Sequence, residues 1–393
     1  MIDFTLSDRD QKILDRVREQ ALVVREYARY FDENEHEFPP DELAEAKDHP
    51  SVIGDLMQRG EGDSGIGTLG MLISMGETWG DYSVRIRRPV GAGLGNAAVS
   101  ASGTPEQKKQ WAGLTLAMAI TEPGCGSDPS QVQTTAVLDE ATNEWIINGE
   151  KIFVTAGCRA DGVVLWATLD KSAGRAGIKS FVIEKDTPGF VVAHKEKKLG
   201  IRSDDTAALV FTDCRVPRSN LIGGKEEIPK AGSGGFKGAM KTFNMTRPGV
   251  AAFGLGMAEA ALDFTRETLE EAGVELSYGA GAAAQAAVVE KFQRLEASFE
   301  ATRLTILRAA WLSDQGQPNN MEASVCKAKG GSAVREITQG CIEILGPMGV
   351  SREHLLEKWF RDVRITDIYE GTGEIQRMII ARTLFDFTRA DLS

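Results

Sequence analysis

Trp145-Ile146-Ile147-Asn148-Gly149-Glu150-Lys151-Ile152-Phe153-Val154-Thr155 decides how the surrounding chain of 393 residues is read. Two β-rich runs flank an Asn-Gly pair, the pattern of a hairpin with a tight turn. Further short strands are read at Val163–Thr168, Ser180–Glu184, Phe190–Ala193 and Thr206–Thr212, with Gly- and Asp-rich turns between them. No strand–helix–strand alternation appears. Residues 116–228 therefore read as a small antiparallel barrel or sandwich.

On both sides of this region the hydrophobic period changes to that of a helix. Before it, Ile13, Val17, Ala21, Val24, Ala28 and Phe31 recur every three or four residues, with Ser7 placed to cap. Pro39-Pro40 stops that pattern. Residues 60–67, with four glycines in eight positions, read as a loop. Thr104-Pro105-Glu106-Gln107 has the form of a capping box. After the strands comes a glycine-rich joint at Gly232–Gly235. Val250, Phe253, Met257, Ala261 and Phe264 then share one helical face, as do Phe292, Leu295, Phe299 and Ile306. A last helix starts near Ile375, and Thr246-Arg247-Pro248 reads as the opening of the first long one. The expected architecture is mainly α: a helical domain over 1–115, a central β-domain over 116–228 and a four-helix bundle over 229–393.

Composition excludes several classes. The chain carries 45 basic and 57 acidic residues, a net charge of −12, so nucleic acid is not an expected partner. No apolar run reaches the ~18 residues of a membrane span, and the first residues read as neither signal nor transit peptide. The cytoplasm, or a compartment entered after processing, is expected. The five cysteines are odd in number and widely spaced, and the four histidines stand apart. Neither a disulfide framework nor a metal site is expected.

Four local sequences carry chemistry: Thr121-Glu122-Pro123-Gly124-Cys125-Gly126-Ser127-Asp128, Gly149–Thr155, Leu199-Gly200-Ile201-Arg202-Ser203, and Tyr369-Glu370-Gly371-Thr372-Gly373-Glu374-Ile375-Gln376-Arg377. The first is an open turn with N–H groups and hydroxyls that suit a planar polar ring. In the second, Phe153 and Thr155 stand two apart on a strand, a flat ring beside a hydroxyl. In the fourth, a carboxylate sits among small residues just before a helix that Thr372 can cap. Taken locally, the first, second and fourth have plainer meanings: a tight turn, ordinary strand alternation and a solvated glutamate.

In this order, the four sequences resemble the acyl-CoA dehydrogenase family of flavoproteins. The resemblance implies FAD-dependent α,β-dehydrogenation of an acyl-CoA thioester. It implies that Glu370 is the general base removing the α-proton. Thr121, Ser127, Phe153, Thr155, Thr372 and Glu374 are then expected at the flavin. Ser127, Arg247, Tyr369 and Gly371 are expected at the substrate. The family places the thioester oxygen on the Glu370 backbone N–H and a flavin ribityl hydroxyl, since the developing enolate needs donors set in advance. Burial under the acyl chain would raise the base's pKa, and the nearby helix N-terminus would lower it. The sequence leaves that balance open. Electron-transferring flavoprotein is the implied acceptor, and a dimer of dimers the implied assembly.

The pattern breaks in places. Phe153 stands where the family usually has Trp. Glu275 stands where an Arg meets the FAD pyrophosphate of a neighbouring subunit, and Glu343 where a Gln makes a second cross-subunit contact. Two explanations stand: these loops have moved, or the chain is a subunit of a mixed oligomer, catalytic or not, whose partner supplies the cations.

Overall fold

The computed structural model describes residues 4–35, 37, 63–87, 93–229, 236–279, 281 and 285–387. The Pro39-Pro40 stop and the Gly232–Gly235 joint lie outside the described residues. Helix α1 (Asp8–Glu26) buries Ile13, Val17, Ala21 and Val24, and the Ser7 hydroxyl accepts from the Asp10 N–H at 3.1 Å. A short α2 (Ala28–Glu33) follows.

Helix α3 (Ile66–Gly80) starts inside the stretch read as a loop. The glycines there admit a remote cap. The Asp314 carboxylate accepts from the N–H groups of Gly67 at 2.7 Å and Thr68 at 2.8 Å, and from the Thr68 hydroxyl at 2.7 Å. A Cβ on Gly65 would lie 2.1 Å from that carboxylate. An anion at a helix N-terminus meets both unpaired N–H groups and the helix dipole. Low helix propensity is thus the condition for the cap here.

The β region begins with α4 (Leu94–Ser102) and α5 (Pro105–Gln110), the latter closed by the Thr104–Gln107 capping box. Seven strands follow: β1 (Leu116–Ala119), β2 (Thr135–Asp139), β3 (Glu144–Thr155), β4 (Gly162–Thr168), β5 (Ile178–Glu184), β6 (Phe190–Lys195) and β7 (Thr206–Pro217). They form one sheet in the order β1-β4-β2-β3-β7-β6, with β5 also on β4. Most ladders are antiparallel. β1, however, runs parallel to β4, and Thr135 meets Thr168 in parallel, so this part of the sheet is mixed. Parallel neighbours need a crossover, and here the β2–β3 hairpin supplies it. β4 is buried along its whole length, with Val163 and Leu165 in one apolar cluster and Val164 and Trp166 in another.

The expected turn at Asn148-Gly149 does not form. β3 runs through it, and the hairpin joins β2 to β3 farther upstream. Gly149 sits at φ +150°, where a Cβ would lie 2.4 Å from the Thr134 hydroxyl. The ladder to β7 shifts register here. Asn148 pairs across it, accepting from the Asp213 N–H at 2.8 Å and donating to the Asp213 carboxylate at 3.2 Å. The pair marks a bulge, where glycine serves close approach rather than reversal.

The long helices are α6 (Phe236–Glu271), α7 (Ala287–Asp314) and α8 (Asn320–Leu345). The shorter α9 (Pro347–Val350), α10 (Leu356–Asp362) and α11 (Gly373–Phe385) complete the chain. Pro248 does not open α6 but lies inside it. Its missing N–H removes one rung of the helix. Buried Val250, Ala251, Ala252 and Leu255 follow at once, and their packing holds the helix across the gap.

Two units result. One comprises Met1–Arg85, Lys198–Ser203 and Asn244–Ser393; the other comprises Ile86–Lys197 and Asp204–Phe243. In the helical unit, Leu199–Ser203 is a strap on α10. The Ile201 N–H donates to Asp362 at 2.5 Å, and Arg361 donates to the Leu199 carbonyl at 2.9 Å. Lys358 lies buried between Asp81 and Asp362, at 2.5 Å from each. Burial opposes its charge, but the two carboxylates raise its pKa above the ordinary lysine value.

Candidate active site

Glu370, Arg247, Tyr369, Gly371, Thr372 and Glu374 fall in the helical unit; Thr121, Ser127, Phe153 and Thr155 fall in the β unit. Each set is described by itself.

Glu370 stands between the 3₁₀ turn Val363–Asp367 and α11. Its backbone is left-handed, at φ +55°, and Gly371 follows at +97°. The half-buried carboxylate accepts from the Thr246 hydroxyl at 2.5 Å. Arg247 is buried on α6, and its Nε donates to the Glu370 carbonyl at 3.4 Å. Burial lowers the pKa of this guanidinium, and the charge of Glu370 works against that. The Gly371 carbonyl accepts from Lys327 Nζ and from Gln376 Nε2, each at 3.1 Å. Lys327 is fully buried on α8. Burial holds its pKa down to about 8, with Asp367 and Glu370 pulling it back. Thr372 caps α11, accepting from the Ile375 N–H at 3.4 Å. Glu374 is exposed in the first turn, where its own backbone N–H and the Thr372 hydroxyl hold its carboxyl below the usual range. Tyr369 is half-buried, with its N–H on the Ile365 carbonyl at 3.2 Å.

Thr246, Lys327 and Gln376 were not singled out from the sequence. Lys327 does leave a sequence trace. It shares a helical face with Ala323, Gly330, Val334, Ile337 and Cys341, all buried. A lysine on such a face is unusual and asks for a partner.

In the β unit the Thr121–Asp128 turn is tied at its base. Glu122 and Cys125 exchange backbone hydrogen bonds of 2.9 and 3.0 Å. The buried Glu122 carboxylate accepts from Lys151 at 2.7 Å, from the Thr134 hydroxyl at 2.5 Å and from the N–H groups of Gln133 and Thr134. Burial disfavours its charge, but Lys151 and these donors prevail and lower its pKa. Lys151 is fully buried as well; burial brings its pKa down to about 8, against the pull of Glu122. The Thr121 carbonyl accepts from the Ile152 N–H at 2.9 Å, which sets the turn beside β3. Ser127 is exposed on the turn.

The register of β3 shifts again between Lys151 and Val154. Phe153 takes φ +55° there and is 60% exposed; Val154 buries, and Thr155 is half-buried. A non-glycine residue at positive φ costs about 1–3 kcal/mol. An exposed aromatic on such a backbone offers a flat apolar surface.

Glu343, on α8, is ion-paired with Lys291 and accepts from Gln339 at 2.9 Å. Its negative charge is thus compensated within the chain. Glu275 is exposed.

Comparison with known proteins fits this arrangement. The acyl-CoA dehydrogenase C-terminal domain model matches residues 233–385, and the acyl-CoA dehydrogenase middle domain model matches residues 117–214. The acryloyl-CoA reductase (NADH) of Anaerotignum propionicum is 34% identical, over 97% of this chain and 95% of its own. The mitochondrial short-chain specific acyl-CoA dehydrogenase of Rattus norvegicus is 34% identical, over 89% of this chain and 83% of its own. The structure of butyryl-CoA dehydrogenase from Megasphaera elsdenii superposes with a TM-score of 0.80 at 29% identity, covering 98% of this chain and all of that one. The chain belongs to the acyl-CoA dehydrogenase family. It is an oxidoreductase of that family, and its cofactor is FAD.

The β unit's residues fit a flavin ring. Phe153 presents a face, and the Thr121–Asp128 turn beside it carries hydroxyls and backbone donors. Cβ atoms added to Gly124 and Gly126 would meet nothing within 4 Å, so the turn is open. Among the described residues, no helix is long and apolar enough to cross a membrane, and no three His, Cys, Asp or Glu side chains gather to hold a metal.

Proposed function

We propose that this chain oxidises a short-chain acyl-CoA thioester across its Cα–Cβ bond, with Glu370 as the general base. The observation that carries the reading is Glu370 itself: a half-buried carboxylate on a left-handed backbone, held by Thr246 at the entrance of α11. Glu370 takes the proton from Cα, and the Cα–H electron pair becomes the new double bond. The backbone N–H of Glu370 is the family's donor to the thioester oxygen, where negative charge develops. Tyr369, Gly371 and Arg247 frame the substrate, and Thr372 and Glu374 open the helix that follows. Phe153, Thr155, Thr121 and Ser127 would hold the flavin, which when bound would supply the acceptor for the hydride that leaves Cβ. The short acyl group is supported by the named relatives. Electron-transferring flavoprotein as acceptor and a dimer-of-dimers assembly rest on family membership.

Glu370→Gln in the FAD-loaded protein tests the reading. A general base contributes about 10²–10⁴-fold, and a loss of that size in flavin bleaching by butyryl-CoA is expected, with ligand binding retained. Bleaching at the wild-type rate would remove Glu370 from the chemistry. The likeness to acryloyl-CoA reductase favours one second reading, the same chemistry run towards saturation, in which reduced flavin would supply the hydride to Cβ and Glu370 would return the proton to Cα. Comparing rates in the two directions with a three- and a four-carbon thioester separates them.

A further inference from the structure

We propose that Lys327 is a positioning residue for Glu370: from α8 its buried ammonium grips the Gly371 carbonyl and holds the Glu370–Gly371 turn in its left-handed conformation. The inference rests on the assignment of Glu370 as the base and adds what keeps that base in place. Two consecutive carbonyls follow the Glu370 Cα, and each is held twice. Arg247 and Gln376 donate to the first, both at 3.4 Å, and Lys327 and Gln376 to the second, both at 3.1 Å. The donors come from three helices, α6, α8 and α11. A peptide unit is planar, so a fixed carbonyl fixes the plane. With both planes fixed behind it and Thr246 on its carboxylate, Glu370 is held at both ends.

Lys327 differs from the other two donors. Gln376 is a neutral amide whose Nε2 donates to both carbonyls. Arg247 donates from α6 to the Glu370 carbonyl. Lys327 brings a full charge into an apolar helix face and directs it at one carbonyl. Asp367 and Glu370 attract that charge, while Arg247 opposes it. Burying an ammonium is costly, and an apolar side chain of the same length would fill the space without that cost. The geometry points to the Gly371 carbonyl as the reason for it.

The test compares Lys327→Met and Lys327→Gln with wild type as FAD-loaded enzymes. For Lys327→Met we expect kcat to fall about 10–100-fold with KM near wild type, because a misplaced base impairs the chemical step rather than binding. Backbone hydrogen exchange across residues 366–376 is expected to quicken. Lys327→Gln keeps a donor and is expected to recover part of kcat. If Lys327→Met does not fold, Lys327→Gln is judged by the same two measurements. Wild-type kcat in the folded variant overturns the positioning role, whether or not exchange changes. The two assignments fail separately. Wild-type turnover in Glu370→Gln refutes the base, whereas an inactive Glu370→Gln beside a fully active Lys327→Met refutes only the positioning role.

Discussion

A carboxylate on a left-handed backbone stays there only if its surroundings insist, because the conformation costs about 1–3 kcal/mol. At Glu370 the insistence comes from side chains that grip carbonyls, and Gly371 must leave room for them. A Cβ on Gly371 would lie 2.5 Å from Gln376 Nε2, and its φ of +97° disfavours any side chain. Gly371→Ala is therefore expected to lower stability by about 1–3 kcal/mol and to depress turnover as well, since displacing Gln376 loosens both carbonyls. Thermal unfolding and steady-state rates on one preparation check this; an unchanged melting temperature would contradict it. Glu370 was legible in the sequence because its neighbours form a recognisable string. Lys327 and Thr246 were not, since their roles exist only once α6 and α8 lie beside that loop.

Between elements, charge is managed in pairs that a linear reading misses. Glu259 on α6 shares Arg18 of α1 with Asp263, and Arg18 lies 3.2 Å from the Trp79 ring centroid. Burial raises Glu259 to about 7, with Arg18 opposing and Asp263 adding to the rise. The unfolded value is the ordinary 4.5. The folded chain thus holds a proton that the unfolded chain has released between those values. This contribution to stability is complete below about pH 4.5 and is lost as pH rises through about 7. Glu259→Gln cannot titrate, so its melting temperature relative to wild type is expected to climb from pH 5 to pH 8. A constant difference across that range would contradict the assignment. At this scale the sequence misled at Asn148-Gly149, because an Asn-Gly pair within a long strand builds a bulge as readily as a turn. It misled at Pro248 too, because packing after the proline outweighs the missing rung.

For the whole molecule, the order helices, strands, helices was legible because the hydrophobic period changes from about 3.6 to 2 and back. The helical unit's composition was not: its first, middle and last segments are far apart in sequence, and no local pattern records that they assemble. The acidic positions that argued for a mixed oligomer now weigh less. Glu343 and Glu275 are both exposed, but Glu343 pairs with Lys291 within its own chain. We therefore expect the chain purified alone to retain one FAD per polypeptide, measured from visible absorbance against protein concentration. A preparation that takes up flavin only with a second kind of subunit would restore the heteromeric reading.

The Leu199–Ser203 strap gives the fold an unusual grammar. Between β6 and β7 the chain leaves one unit, contributes Lys198–Ser203 to the other and returns, so neither can be lifted out by a single cut at each end. A middle fragment expressed by itself would carry Ile201 stripped of its cover, and the helical remainder would keep Asp362 beside Lys358 without the amide that Ile201 lends it. Dissection of this protein should preserve that loan, for instance by grafting a short peptide of the strap back onto the helical remainder.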